Sequence, residues 1–113
     1  MNWFRKGEHG EFLWPGYGEN SRVLKWIFER CEGTAKATET AIGNLPAPDE
    51  LDLEGLSIGG RELHTLVSAD TEGWLAEVPL IREHFAQFGE KMPRELIAEL
   101  DALEQRLRAA KER

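Results

Sequence analysis

The sequence predicts a mainly α protein with a short β-hairpin at its N-terminus, an α+β fold. Two glycine-separated, β-compatible runs open the chain, and apolar residues recur at helical spacing after them. With 113 residues and 41% hydrophobic content, the chain suits one small domain or part of a larger one. We expect one structural unit, with the hairpin and an aromatic loop in residues 1–20 and a helical tail in residues 21–113.

The two opening runs, residues 2–5 and 11–14, are predicted to pair as a hairpin. Gly7 and Gly10 lie between them, and glycine adopts the positive φ that such a loop needs. Because a two-stranded ribbon alone is marginal in water, it should pack on a helix or extend a sheet completed by other strands outside this chain. A chain that starts in a strand is expected to be a fragment.

The first predicted helix follows a break at residues 15–18 and runs to about Arg30, with Asn20 or Ser21 as its N-cap and Gly33 beyond its end. Its apolar face should be buried as one broad stripe. That stripe has Trp26 at its margin and consists of Val23, Leu24, Ile27, Phe28 and Cys31.

Cys31 is the single cysteine of the chain and therefore forms no internal disulfide. Neither a histidine nor a second cysteine stands at metal-ligand spacing from it. We interpret Cys31 as a packing residue.

The middle of the chain, residues 34–60, lacks periodicity and is rich in proline and glycine, which predicts irregular chain over the surface. Five apolar side chains are expected to pin it down: Leu45, Leu51, Leu53, Leu56 and Ile58. A short helix is predicted for residues 61–67.

The last third predicts two helices that pair as an antiparallel hairpin. Asp70 or Thr71 should cap the first, and Pro79 should kink it or divide it near Val78. Pro93 suits the first turn of the second. The two apolar stripes are Trp74, Val78, Ile81, Phe85 and Phe88, and then Leu96, Leu100, Leu103 and Leu107.

The net charge of −7 is unevenly distributed, with six Lys/Arg against five Asp/Glu in residues 1–36 and eight against sixteen in residues 37–113. The acidic tail repels polyanions, which argues against nucleic acid and anionic membranes as partners. No run of about 18 apolar residues and no leader-like N-terminus is present, so we expect a soluble, cytoplasmic protein.

Five of the ten aromatic residues lie within the first seventeen positions: Trp3, Phe4, Phe12, Trp14 and Tyr17. Cross-strand packing is one explanation. The other is a slot for a planar heterocycle, where rings stack on a base and Gly16 and Gly18 let the backbone approach. Asn20 has two matching interpretations, since its amide can cap the next helix or read a purine edge with its donor and its acceptor.

Residues 2–6, 12–16 and 18–24 resemble the guanine-binding stretch of GTP-dependent phosphoenolpyruvate carboxykinases. The pieces at 42–46 and 74–85 are similar to the C-terminal tail of the same family, so the resemblance covers nearly the whole chain. It implies that the fold is a fragment of the larger C-terminal, nucleotide-binding lobe of these enzymes.

The resemblance also implies a set of guanine-binding residues. Phe4 and Tyr17 would stack on either side of the base, Phe12 would close the pocket at its edge, and Asn20 would hydrogen-bond it. Tyr17 departs from the usual phenylalanine of the family but keeps the ring face. Backbone contacts are expected from Gly18 and Glu19.

The family converts oxaloacetate and GTP into phosphoenolpyruvate, GDP and CO₂ in gluconeogenesis, using Mn²⁺, a phosphate loop, substrate-binding arginines and a mobile lid. This sequence has no G-x-x-x-x-G-K-[ST] phosphate loop, and its three histidines are scattered without a ligand pattern: His9, His64 and His84. The resemblance therefore implies that catalysis and the metal belong upstream. We expect no catalytic or metal-binding residue in this chain and no turnover by the chain alone.

The expected partners are a guanine nucleotide and the remainder of a carboxykinase chain. Self-association through an open sheet edge or an uncovered apolar stripe is a further expectation. The alternative function is a stand-alone helical interaction module in which the aromatic residues form core.

Overall fold

The computed structural model describes residues 2–113 and confirms the mainly helical character of the chain. Its helices are α1 (Asn20–Glu32), α2 (Gly60–Val67), α3 (Thr71–Ala86) and α4 (Arg94–Lys111), and its strands are β1 (Thr38–Thr40) and β2 (Gly43–Leu45). Short 3₁₀ turns precede α1 and α4, at Tyr17–Glu19 and Gly89–Lys91. None of the helices in residues 2–113 combines the length and apolarity that a membrane crossing requires.

The chain divides into two compact units, which are described separately. The first runs to Glu39 and resumes at Asn44–Ser68, and the second consists of Thr40–Gly43 and Ala69–Arg113.

The N-terminal hairpin is shorter than predicted. Lys6 and Phe12 form an isolated antiparallel bridge, and the Leu13 N–H donates to the Arg5 carbonyl at 3.0 Å. The predicted strands at 2–5 and 11–14 do not form, because Asn2 curls the first run into a turn by accepting the Phe4 N–H at 3.0 Å. The chain reverses direction as predicted, but it does so as a loop.

The two-stranded sheet lies instead at β1 and β2, inside the stretch predicted to be irregular. Only Ala41 and Ile42 connect the strands, and so short a link pairs them antiparallel. The Thr40 hydroxyl donates to the Gly43 carbonyl at 2.7 Å across the turn. Three-residue strands carry no detectable alternation, which explains why the sequence pattern missed them.

Helix α1 ends as predicted and begins differently. Gly33 caps its C-terminus at φ 81°, where its N–H donates to the Arg30 carbonyl. Neither Asn20 nor Ser21 is the N-cap. That position is held by Glu19, which makes no side-chain cap, because the 3₁₀ turn leads directly into the helix.

The prediction of one broad buried stripe on α1 is wrong. Only Val23 and Trp26 are buried, and the indole N–H of Trp26 donates to the Lys36 carbonyl at 3.1 Å. The remaining apolar side chains, which we call the exposed row of α1, are Leu24, Ile27, Phe28 and Cys31. Cys31 is therefore not a packing residue within the described chain.

The core of the first unit combines residues from distant parts of the sequence. Its buried members are Trp14, Val23, Trp26, Ala35, Leu51 and Leu63. Leu53 and Ile58 pack against them, so three of the five side chains expected to pin the middle segment reach this core. Helix α2, where predicted, contributes Leu63.

The second unit contains helices α3 and α4. The Asp70 carboxylate caps α3 by accepting the Gly73 N–H at 3.0 Å, which confirms one of the two predicted caps. Pro79 does not divide α3. We attribute this to packing of Val78 against Leu100 and Leu107, which outweighs one lost backbone hydrogen bond.

The antiparallel pairing of α3 and α4 is confirmed by ion pairs at both ends. Glu72, at the start of α3, pairs with Lys111 at 3.0 Å, whereas Arg82, near its end, pairs with Asp101 at 2.8 Å and Glu104 at 2.7 Å. Hydrogen bonds from Arg108 and Arg82 lower the pKa of Glu104. Pro93 precedes the first residue of α4, one position earlier than predicted.

Candidate functional site

The aromatic residues at the N-terminus divide into an inner and an outer set. Trp3 and Trp14 form the inner set, with ring centroids 5.8 Å apart at an interplanar angle of 50°. Trp14 is only 2% exposed and belongs to the core of the first unit, and Trp3 packs against that core. The packing interpretation of the aromatic cluster therefore holds for the two tryptophans.

Phe4, Phe12 and Tyr17 form the outer set, and they remain 74%, 59% and 91% exposed. Phe4 and Phe12 meet edge to face, with centroids 6.4 Å apart at 67°, and the Lys6 ammonium lies 5.4 Å from the Phe12 centroid. Burial in the core does not account for these three rings. Exposed rings are instead available to a planar ligand.

The loop after Trp14 is built around two glycines. Gly16 has φ 130° and ψ 176°, a conformation essentially restricted to glycine. Gly18 is exposed, and a Cβ built on it would meet nothing within 4 Å. The fold itself therefore does not crowd Gly18, so its backbone is open to a close approach from outside.

Glu19 and Arg22 support the start of α1. The Arg22 guanidinium contacts the Glu19 carboxylate at 2.5 Å and donates to the Asp52 carbonyl at 2.8 Å. Lys25 pairs with the Asp52 carboxylate at 2.6 Å, and this hydrogen bond lowers the pKa of Asp52 and raises that of Lys25. The first turns of α1 are thus tied to the segment around residue 52.

Asn20 connects the inner and outer sets. Its amide oxygen Oδ1 accepts the indole N–H of Trp14 at 2.8 Å, and its backbone N–H donates to the Tyr17 carbonyl. The side chain is half-buried and does not cap α1. The cap interpretation of Asn20 is therefore wrong.

The structure brings together some of the candidate residues and leaves others apart. Phe4 contacts Phe12, whereas Tyr17 and Gly18 stand exposed on the turn that leads to Asn20. Sequence reasoning missed the hydrogen bond between Trp14 and Asn20. A signal for it existed, because a buried indole needs an acceptor, and the Asn20 amide follows six residues later.

The three histidines lie on three different segments. His9 is in the N-terminal loop, His64 on α2 and His84 on α3, and all three are exposed. Within residues 2–113, no three His, Cys, Asp or Glu side chains are grouped so that they could hold a metal ion.

An aromatic, glycine-rich loop that leads into a helix is the kind of site that accommodates a planar ring. A protein-family model described as "Phosphoenolpyruvate carboxykinase C-terminal P-loop domain" matches residues 1–106. The chain belongs to this family.

The relatives that carry the name "Phosphoenolpyruvate carboxykinase [GTP]" include the three described next. The protein of Neocallimastix frontalis is 56% identical over 111 residues, covering 97% of this chain and 18% of that protein. The proteins of Arthrobacter sp. (strain FB24) and Treponema pallidum (strain Nichols) are 50% and 49% identical, each covering 95% of this chain and 18% of its own length. The chain thus spans about a fifth of the curated relatives that it matches.

Proposed function

We propose that this chain is the C-terminal, guanine-binding segment of a GTP-dependent phosphoenolpyruvate carboxykinase, which converts oxaloacetate and GTP into phosphoenolpyruvate, GDP and CO₂. The observation that carries the proposal is the exposure of the outer set of rings in a chain 56% identical to a carboxykinase named for GTP. Family membership does not favour the alternative, a stand-alone helical interaction module.

Phe4 and Tyr17 are the proposed stacking pair, with Phe12 at the edge of the base. The 67° angle between Phe4 and Phe12 argues against a parallel sandwich formed by those two rings. A base stacked between two rings separates them by about 7 Å, twice the van der Waals contact distance. Tyr17, at 91% exposure, is free to supply the second ring.

Asn20 is the proposed hydrogen-bonding residue for the base, and Gly18 and Glu19 are proposed to contribute backbone contacts. The open space around Gly18 supports its part. The Glu19 carboxylate is engaged with Arg22, which leaves its backbone as the group to contact a ligand. In this division, residues 1–20 carry the base site and residues 21–113 form the helical tail.

The proposed contribution to the reaction is positional. Stacking and an edge hydrogen bond hold the base, so that the phosphate end of GTP stays close to groups elsewhere in the longer protein. No phosphate-loop motif occurs in this sequence, and the described side chains do not form a metal site. Phosphoryl transfer, decarboxylation and Mn²⁺ binding are therefore assigned to residues outside this chain.

The exposed row of α1 is proposed to pack against the remainder of the carboxykinase. The matched relatives are more than five times as long as the aligned segment, so most of each protein lies outside it. A helix with apolar side chains on both of its faces is typical of a helix buried on two sides. Self-association of the separate chain through the same row is the matching expectation.

Light scattering tests this interpretation of α1. The 113-residue chain should self-associate with rising concentration, and Phe28→Lys should reduce the association, whereas Lys25→Ala, a change on the same helix outside the row, should not. A strictly monomeric chain at high concentration would argue against a former interface on α1.

A cytoplasmic location belongs to the same proposal. Cys31 is an exposed free thiol, and exposed thiols persist in reducing compartments.

A nucleotide titration tests the proposed function. GDP and ADP are titrated into the purified chain while tryptophan fluorescence is followed, and circular dichroism establishes that the chain is folded. GDP should change the emission because Trp14 touches Asn20, and Tyr17→Ala should weaken the response. A folded chain that does not respond to GDP would support the interaction-module alternative, and oxaloacetate-dependent GTP consumption by the chain would overturn the assignment of catalysis to other residues.

A further inference from the structure

The hydrogen bond between Trp14 and Asn20 fixes the orientation of the Asn20 amide as well as its position. The indole nitrogen of Trp14 lies 2.8 Å from the amide oxygen of Asn20, and Trp14 is 2% exposed. A buried indole N–H without an acceptor would carry a desolvation penalty. Among residues 2–113 no buried side-chain nitrogen or oxygen lacks a partner, and for Trp14 that partner is Asn20.

The chemistry of the indole determines the orientation of the amide. The two ends of an asparagine amide are nearly the same size, but an indole N–H is a donor and never an acceptor. Only the amide oxygen can face Trp14, because the NH₂ group would place a donor against a donor. The Nδ2 group of Asn20 is therefore on the side away from the indole.

The outward Nδ2 group has no internal use. Asn20 does not cap α1, and within residues 2–113 its Nδ2 donates no hydrogen bond. Asn20 is half-buried and directly follows the turn that carries Tyr17 and Gly18. An oriented donor without a partner thus lies at the end of the turn that carries the exposed Tyr17.

We propose that Trp14 is a positioning residue for base recognition, which holds the Asn20 amide with its donor outward and so selects purines that carry a carbonyl at C6. This inference rests on the proposed function, namely that the aromatic loop binds a purine. Guanine and hypoxanthine present an oxygen acceptor at C6, whereas adenine presents an amino donor that would oppose Nδ2. Without Trp14 the amide could turn over and accept from adenine instead.

The first test replaces the indole by a ring without the donor. Trp14→Phe should lower the ratio of GDP to ADP affinity about tenfold, the value of one hydrogen bond of about 1.4 kcal/mol. IDP should follow GDP in both proteins, because it keeps the C6 carbonyl. Affinities are measured by fluorescence or calorimetric titration of the 113-residue chain.

Trp26→Phe is the matched control. Trp26 is also buried in the core of the first unit, and its indole N–H also donates to one oxygen, the Lys36 carbonyl. This variant loses the same kind of group and the same kind of bond without touching Asn20. It should leave the GDP to ADP ratio unchanged even if it lowers stability.

Asn20→Asp provides a second test that leaves the tryptophan core intact. The carboxylate still accepts the Trp14 N–H but offers no donor, so GDP and IDP affinity should fall and the preference over ADP should be lost or reversed. This variant decides the question should Trp14→Phe fail to fold.

The outcomes separate this inference from the proposed function. A wild-type chain that binds GDP in preference to ADP, with an unchanged ratio in Trp14→Phe, would overturn the positioning role and leave base binding in place. Equal loss of all three nucleotides in Trp14→Phe would reduce Trp14 to a structural residue. A folded wild-type chain that binds no purine would remove the proposed function and this inference with it.

Discussion

Trp3 and Trp14 share a short segment with Phe4 and Phe12, yet the two pairs have opposite surroundings. The tryptophan pair packs against the core of the first unit, while the phenylalanine pair remains mostly exposed. Each pair is in ring contact, at 5.8 Å and 6.4 Å between centroids. Aromatic contact alone therefore does not distinguish packing from a binding surface, whereas exposure does.

The presence or absence of a polar atom in the ring explains part of this difference. The buried Trp14 carries an N–H that must find an acceptor, and it finds one in Asn20. Phe4 and Phe12 have no polar atom, so their exposure is not required by hydrogen bonding and has an unfavourable hydration cost. An exposed apolar pair such as Phe4 and Phe12 indicates a surface that is covered when a ligand or another segment binds.

The largest expected effect separates the two pairs by stability. Trp14→Ala should lower the free energy of unfolding by about 3–5 kcal/mol, the usual cost of removing a large buried ring. Phe12→Ala should cost less than about 1 kcal/mol, because most of that ring is already in water. Urea denaturation followed by circular dichroism measures both values, and equal losses would break the distinction between the pairs.

The next effect concerns nucleotide binding by the outer set of rings. Tyr17→Ala should weaken GDP binding by about 1–3 kcal/mol, the measured range for losing one base-stacking ring. Its unfolding free energy should change by less than about 0.5 kcal/mol, since the side chain is a surface residue. Phe28→Ala, which removes an exposed ring on α1, should leave GDP affinity unchanged; a matching loss would show that the outer set has no special role.

A smaller effect is expected when only the hydroxyl of Tyr17 is removed. Tyr17→Phe keeps the ring face. GDP affinity should stay within about twofold, because an exposed hydroxyl exchanges a protein contact for water at little net cost. Calorimetric titration would detect a larger change, which would assign the hydroxyl a direct part in binding.

The smallest effect should come from the exposed ion pair of Lys25 and Asp52, in contrast to the buried indole. The pKa of Asp52 is lowered in the folded protein, so this pair stabilises the fold above the unfolded pKa of about 4, and the contribution is lost as the pH falls through the folded pKa. Asp52→Asn should therefore be slightly less stable than wild type at pH 7, and the difference should narrow as the pH falls through the folded pKa of Asp52. Asp49→Asn, without an ion pair in the described chain, is the control for urea midpoints measured across this range.

The fold was predictable wherever a local signal was strong. Asp70 and Gly33 mark helix ends through their own chemistry, a carboxylate that accepts an amide N–H and a residue free to adopt positive φ. Leu100, Leu103 and Leu107 of α4 pack with residues of α3 as their spacing predicted, whereas Leu96 of the same predicted stripe is exposed. The β1–β2 hairpin was missed because its strands are too short to show alternation.

The same helical spacing failed on α1. Val23 is buried as predicted, but Ile27 and Cys31, which follow it at steps of four residues, are exposed. Periodicity identifies an apolar face without saying which segment covers it. Leu51 and Leu63 share a core with Val23 and Trp26. The other apolar side chains of α1 are not part of that core.

The candidate site shows the same division between local and long-range information. The motif and its resemblance identified the aromatic loop and Asn20, while the choice between packing and binding stayed open for each ring. The structure shows which rings are buried and which are exposed. It also shows that the hydrogen bond from Trp14 orients the Asn20 amide. Neither result follows from spacing along the chain.

The sequence by itself determined the family, the helical character, several helix ends and the concentration of aromatic residues in the first seventeen positions. Only the tertiary structure decided which of those rings are buried, which apolar row of α1 is exposed, and which end of the Asn20 amide is free. The physical reason is that burial depends on packing between segments distant in the sequence, such as those that bring Trp14, Leu51 and Leu63 into one core. Helix ends and motifs, by contrast, depend on neighbours within a few residues.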